Sequence, residues 1–86
     1  IVFGLSAALF DAITIRGGAV EQSNFFDYRL PKLADAPRTV VEFVRSDAPM
    51  GGLGEPGVPP VAPAVANAVF AATGVRLREL PLRLPS

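Results

Sequence analysis

Along this chain the spacing of apolar residues switches between helical and strand-like. Residues 1–10, IVFGLSAALF, are apolar on every side and include the small residues Gly4, Ser6, Ala7 and Ala8. A helix with no polar face needs cover all round, so this stretch predicts a buried helix, closed by Asp11. AITIR at 12–16 alternates, with Ile13 and Ile15 opposing Thr14 and Arg16. Gly17-Gly18 is a hairpin turn signal, and AVEQSNF at 19–25 is the returning strand. Residues 26–38 carry two prolines and no period, which reads as an irregular surface segment. TVVEFVR at 39–45 is the clearest strand: β-branched, with Val41 and Phe43 opposing Val40, Glu42 and Val44. Residues 46–60 form a long loop, and structureless loops of that length tend to be functional or disordered. VAPAVANAVFAATG at 61–74 predicts a second helix. Pro59, Pro60 and Pro63 sit in or before its first turn, and Gly74 is placed as its left-handed cap. Only Asn67 and Thr73 interrupt its apolar surface, so it too is expected to be buried. VRLREL at 75–80 alternates again as a further strand candidate, and PLRLPS is an extended tail.

The fold class that follows is α+β: a mostly antiparallel sheet of about four strands packed by two apolar helices. Residues 1–86 read as one unit without internal repeats. Half of the residues are hydrophobic and only 19% are charged. That is more apolar material than one small core hides, since small domains leave much of their surface exposed. The surplus predicts apolar faces against a partner, another copy, or the remainder of a longer chain. The chain opens on Ile1 rather than Met, which reads as a piece of something longer or a processed product.

Eight basic and eight acidic residues cancel, which argues against a general nucleic-acid or anionic-membrane binder. Without cysteine or histidine, the chain has no ligands for structural zinc or an iron–sulfur cluster, no disulfide and no His-dependent triad. No apolar run reaches the ~18 residues that a spanning helix needs. The first ten residues lack the flanks of a signal peptide.

The stretch GGLGEPGVPP, 51–60, surrounds one carboxylate, Glu55, with four glycines and three prolines. Pro56 pushes Glu55 towards an extended conformation and fixes the chain after it. Gly52, Gly54 and Gly57 permit positive φ and close approach of a ligand to the backbone. A helix N-terminus follows and adds partial positive charge. A carboxylate on a stiff loop at a helix entrance suits a catalytic base. The plainer reading is a solvated acid in a surface turn, and for loops of this kind it is the commoner one. SNFFDY at 23–28 could line a pocket, or more simply pack. Asn67 reads as a satisfied core amide, and Arg76 and Arg78 as a solvated strand face or an interface.

IVFGLSAAL (1–9), QSNFFDYRL (22–30) and GGLGEPGVPPVAPAVANAVFAATGVRLRELPL (51–82) together resemble the C-terminal end of the molybdenum hydroxylases, the xanthine dehydrogenase and aldehyde oxidase superfamily. The nearest look is to the isoquinoline 1-oxidoreductase beta subunit and molybdopterin-binding aldehyde dehydrogenase types. The resemblance implies part of a larger molybdopterin-binding domain. The cofactor is a molybdenum–molybdopterin, commonly the cytosine dinucleotide, whose metal is held by the pterin and needs no protein Cys or His. The family's essential glutamate stands in a Gly-Glu-Pro context that lands on Glu55, as general base towards a hydroxyl carried by the molybdenum. Gly52 and Gly54 would lie close to the cofactor.

The implied reaction hydroxylates an aldehyde or an N-heterocyclic carbon with water-derived oxygen. The implied partners are the rest of the large subunit and a small subunit carrying iron–sulfur clusters. Phe26 stands where many relatives carry His, and Val58 where Thr is common; neither change touches the carboxylate. The fragment alone is expected to be inactive and, with unpolarised helices, to form homo-oligomers. The family occurs in both bacterial cytoplasm and periplasm. The competing class is a non-catalytic α+β oligomerisation or interaction module with Glu55 in a plain turn.

Overall fold

The computed structural model describes residues 1–86. Its elements in chain order are α1 (Val2–Leu9), β1 (Ile15–Arg16), β2 (Ala19–Val20), a single 3-10 turn (Leu33–Asp35) and α2 (Val61–Thr73). The two helices pack against each other. Their contact is close because Gly4 of α1 lies directly against Val61 of α2; the buried positions of α1 are Gly4, Ser6 and Ala8. Asp11 ends α1 as expected. The Ser6 hydroxyl donates to Asp11 Oδ1 at 2.6 Å, and the Asp11 amide donates to the Ser6 carbonyl at 3.0 Å. The chain end returns to this point, where the Leu82 amide donates to the Ala8 carbonyl at 2.7 Å and Leu82 is buried over it.

α2 stops at Gly74, which adopts φ +74° and donates its amide to the Phe70 carbonyl at 2.8 Å. A side chain there would be strained, so the glycine is the physical reason for the stop. The helix is not buried, however. None of its residues is fully enclosed, because α1 is the only other element packed against it.

The sheet is smaller than the sequence pattern predicts. Only one antiparallel pair forms, with Ile15 opposite Val20 and Arg16 opposite Ala19. Gly17 and Gly18 turn it, both at positive φ. Outside the ladder, Gln22 bridges back to Thr14 through its amide at 2.9 and 2.8 Å, and Arg16 pairs with Glu21 at 2.8 Å. Neither helix packs on this hairpin, so its apolar side chains Ile13, Ile15 and Val20 stay exposed. An unsupported two-stranded hairpin is marginal in water, which accounts for its two-residue strands. Residues 39–45 and 75–80 form no strand, and 79–80 bend. The expected four-stranded sheet packed by two helices is therefore corrected to one short hairpin standing apart from a helix pair. Strand propensity at 39–45 has no pairing partner among these 86 residues.

The shape records the same deficit of cover. The radius of gyration is 16.3 Å, against about 12 Å for a compact chain of this length. The accessible surface is 7428 Å², about 2,500 Å² above the value for a compact 9.0 kDa chain. Much of the excess is apolar: Phe25, Phe26, Phe43, Val44 and Leu53 are almost fully exposed.

Candidate active site

Glu55 lies in a hydrogen-bonded turn that leads directly into α2. The Val58 amide donates to the Glu55 carbonyl at 2.9 Å, and the Val61 amide then donates to the Val58 carbonyl at 3.2 Å. Between these bonds stand Pro56, Pro59 and Pro60, which have no N–H to lose and whose φ is already fixed. The result is a stiff succession from Glu55 to the first residue of the helix. The Glu55 side chain is exposed and makes neither a hydrogen bond nor an ion pair. Its charge is therefore available to an incoming group rather than committed within the chain.

Glu55 borders a shallow depression with Gly52, Gly54, Pro56 and Pro59. It also borders a second with Phe3, Val58 and Pro59. The structure thus brings Glu55 together with Gly52 and Gly54. Of the two expected reasons for the glycines, positive φ is corrected. Gly52, Gly54 and Gly57 all have ordinary φ, so no left-handed conformation requires them. A Cβ built on any of them meets nothing within 4 Å. What the glycines provide is bare backbone on an open surface, which a bulky group can approach closely.

Gly4 is the residue that sequence reasoning missed in this role. A Cβ there would stand 2.7 Å from Val61 Cγ2 and 2.9 Å from the Val58 carbonyl oxygen. The close approach of α1 to the 55–61 turns depends on its absence. Phe3, the next residue back, then reaches the rim beside Glu55. Gly4 and Glu55 are far apart in sequence, and no local signal links them.

The other candidates resolve differently. The SNFFDY stretch borders a shallow depression, with Phe25, Phe26 and Asp27 beside Arg29, Leu30 and Lys32; both rings are largely exposed, while Tyr28 is half-buried near Asp11. The order of the stretch comes from Asp27, whose carboxylate accepts from the Ser23 amide at 3.0 Å and the Asn24 amide at 3.0 Å. The backbone donors of Asn24 and then Ser23 hold the Asp27 carboxyl below its ordinary value. In Asp35 the Lys32 amide does the same, with Arg29 adding a smaller effect. Tyr28 is raised, chiefly by desolvation and then by the negative charge of Asp11. Asn67 is not a core amide. It is exposed, and its carbonyl oxygen accepts from Arg76 Nη1 at 2.7 Å while the same guanidinium lies 4.1 Å over the Phe70 ring. Arg76 thereby ties the end of the chain to α2 rather than sitting on a strand.

No three acidic, Cys or His side chains converge to hold a metal ion. The donor set at the loop is one free carboxylate on glycine-rich backbone. Such a surface fits a cofactor that brings its own metal ligands and needs only a proton acceptor beside it.

No family model and no solved structure matches the chain. Curated relatives do. The chain is 43% identical over 82 residues to the membrane-bound aldehyde dehydrogenase [pyrroloquinoline-quinone] of Gluconacetobacter polyoxogenes, covering 95% of this chain. It is 37% identical over 83 residues to isoquinoline 1-oxidoreductase subunit beta of Brevundimonas diminuta, covering 96%. It is 40% identical over 86 aligned residues to the xanthine dehydrogenase molybdenum-binding subunit of Escherichia coli O157:H7, covering 92%. In each case the chain spans only 11% of the relative's length.

Proposed function

This chain is, along nearly its whole length, a homologue of a segment of the molybdenum hydroxylase large subunit, and from that premise we propose that it carries that subunit's proton-accepting glutamate, Glu55. The single observation behind the assignment is an uncompensated carboxylate, its backbone held by consecutive turns, on a glycine-lined surface. The polypeptide to which the segment belongs would be a molybdopterin-dependent oxidoreductase. It would hydroxylate an aldehyde or an N-heterocyclic carbon with water-derived oxygen. When bound, the molybdenum–pterin group, as a cytosine dinucleotide, supplies the two-electron redox chemistry. Gly52 and Gly54 would let it lie against the backbone.

The part played by these residues is proton transfer and positioning. A Glu55 carboxylate oxygen takes up the proton released as oxygen is delivered to the substrate carbon. The three prolines and the two turn bonds restrict where that oxygen can be. Their value is geometric, since about an ångström of misplacement can cost ~100-fold in rate. The remainder of the large subunit would complete the site, and a small iron–sulfur subunit would carry electrons away. The segment by itself would be inactive.

The test is Glu55→Gln in the full-length polypeptide. Removing a general base costs roughly 10²- to 10⁴-fold in turnover. The expected result is that loss with molybdenum and pterin content unchanged. Near-normal turnover rejects Glu55 as the base and returns it to a plain surface turn. The Gluconacetobacter relative is named for pyrroloquinoline quinone and not for molybdenum. Elemental and cofactor analysis of the same preparation separates the two: quinone without molybdenum would overturn the cofactor assignment.

A further inference from the structure

We propose that Thr39–Arg45 is a β-strand in waiting, whose sheet is supplied by other parts of the same, longer polypeptide. The seven residues TVVEFVR contain neither Gly nor Pro, and five of them are β-branched or aromatic apolar or hydroxyl side chains. These residues form no helix, strand or turn, and no backbone hydrogen bond is made by any residue from Thr39 to Arg45. Seven residues of strand span about 23 Å. A row of unpaired backbone groups that long is a template for strand addition.

The side chains say what kind of sheet it joins. By strand alternation the apolar Val41 and Phe43 share one face with Thr39 and Arg45, and the apolar Val40 and Val44 share the other with Glu42. All four apolar side chains are exposed, Phe43 at 85% and Val44 at 90%. A strand with one wet face would be polar on alternate positions; here each face carries two large apolar side chains beside its polar ones, which favours cover on both sides.

The occupant is a sheet within the longer polypeptide rather than a second copy. The relatives are about nine times longer than this chain, which covers 11% of each. The surface excess of about 2,500 Å² exceeds the ~800 Å² that an ordinary interface buries on each partner. A strand tethered in the same chain also competes at high effective concentration against a free copy. This inference rests on the homology to a longer subunit and not on the role of Glu55.

Hydrogen exchange with residue-level readout on the full-length polypeptide is the test, with the 86-residue chain at high dilution beside it. The expected result is consecutive amides from Val40 to Val44 protected at least ~100-fold in the full-length protein, and unprotected in the short chain. Unprotected amides in the full-length protein overturn the proposal. So does protection that vanishes when the full-length protein is diluted to a monomer, because that places the partner strand on a second copy. The readout needs neither metal nor turnover, so a failed Glu55→Gln experiment leaves it intact.

Discussion

Gly4→Ala is the sharpest perturbation that the helix contact offers. The added methyl carbon would sit 2.7 Å from Val61 Cγ2, 2.9 Å from the Val58 carbonyl oxygen and 3.0 Å from Val61 Cβ. The first of these atoms can turn away with its side chain; the second belongs to backbone and cannot. The Val58 carbonyl is also the acceptor for the Val61 amide, and the Val58 amide is bonded to Glu55. Relief must therefore move α1 away from α2 or move the turn that carries Glu55. Overpacking of this kind costs about 1–3 kcal/mol. Against it stands the intrinsic gain of Ala over Gly within a helix, about 1 kcal/mol. The balance favours a net loss of about 1 kcal/mol, with the Glu55 turn displaced.

Full-length Gly4→Ala is expected to lose roughly 10- to 100-fold in kcat, the scale set by sub-ångström to ångström misplacement. KM and metal content should be little changed. The Val58 amide should exchange faster than in the unaltered protein, which reports the turn independently of turnover. Val61→Ala added on top removes the nearest contact and should recover part of the loss. Unchanged kcat together with unchanged Val58 exchange would refute the reasoning, because it would mean that the contact relaxes without moving the turn.

Two further outcomes follow from exposed features. The backbone donors of Asn24 and Ser23 lower the Asp27 carboxyl from its ordinary 3.8. A depressed carboxylate contributes stability that is complete above the unfolded value and is lost as pH falls through the folded one. The 23–27 turn should therefore hold above about pH 4 and loosen below it; a carbon-detected NMR titration of Asp27 with a midpoint at or above 3.8 would contradict this. The 86-residue chain by itself should self-associate, since Phe25, Phe26, Phe43, Val44 and Leu53 are left uncovered. Sedimentation showing a stable compact monomer at high concentration would contradict that expectation.

Local chemistry in the sequence was enough to determine α1, α2, the Gly17-Gly18 turn and the stop at Gly74. Each depends on residues within a few positions of one another: apolar periodicity, prolines in a first turn, a glycine at positive φ. The Gly-Glu-Pro stretch likewise announced a stiff acid-bearing loop, because proline and glycine act on their immediate neighbours. Tertiary structure decided the rest. That Gly4 lets α1 lie against the Glu55 turn and that Phe3 borders the carboxylate are contacts between distant residues, which no window of sequence contains. The strand pattern at 39–45 expresses a backbone preference, but a strand becomes a sheet only when a neighbour accepts its hydrogen bonds. No such neighbour stands among these 86 residues, and so the propensity remains unspent in a segment that forms no strand.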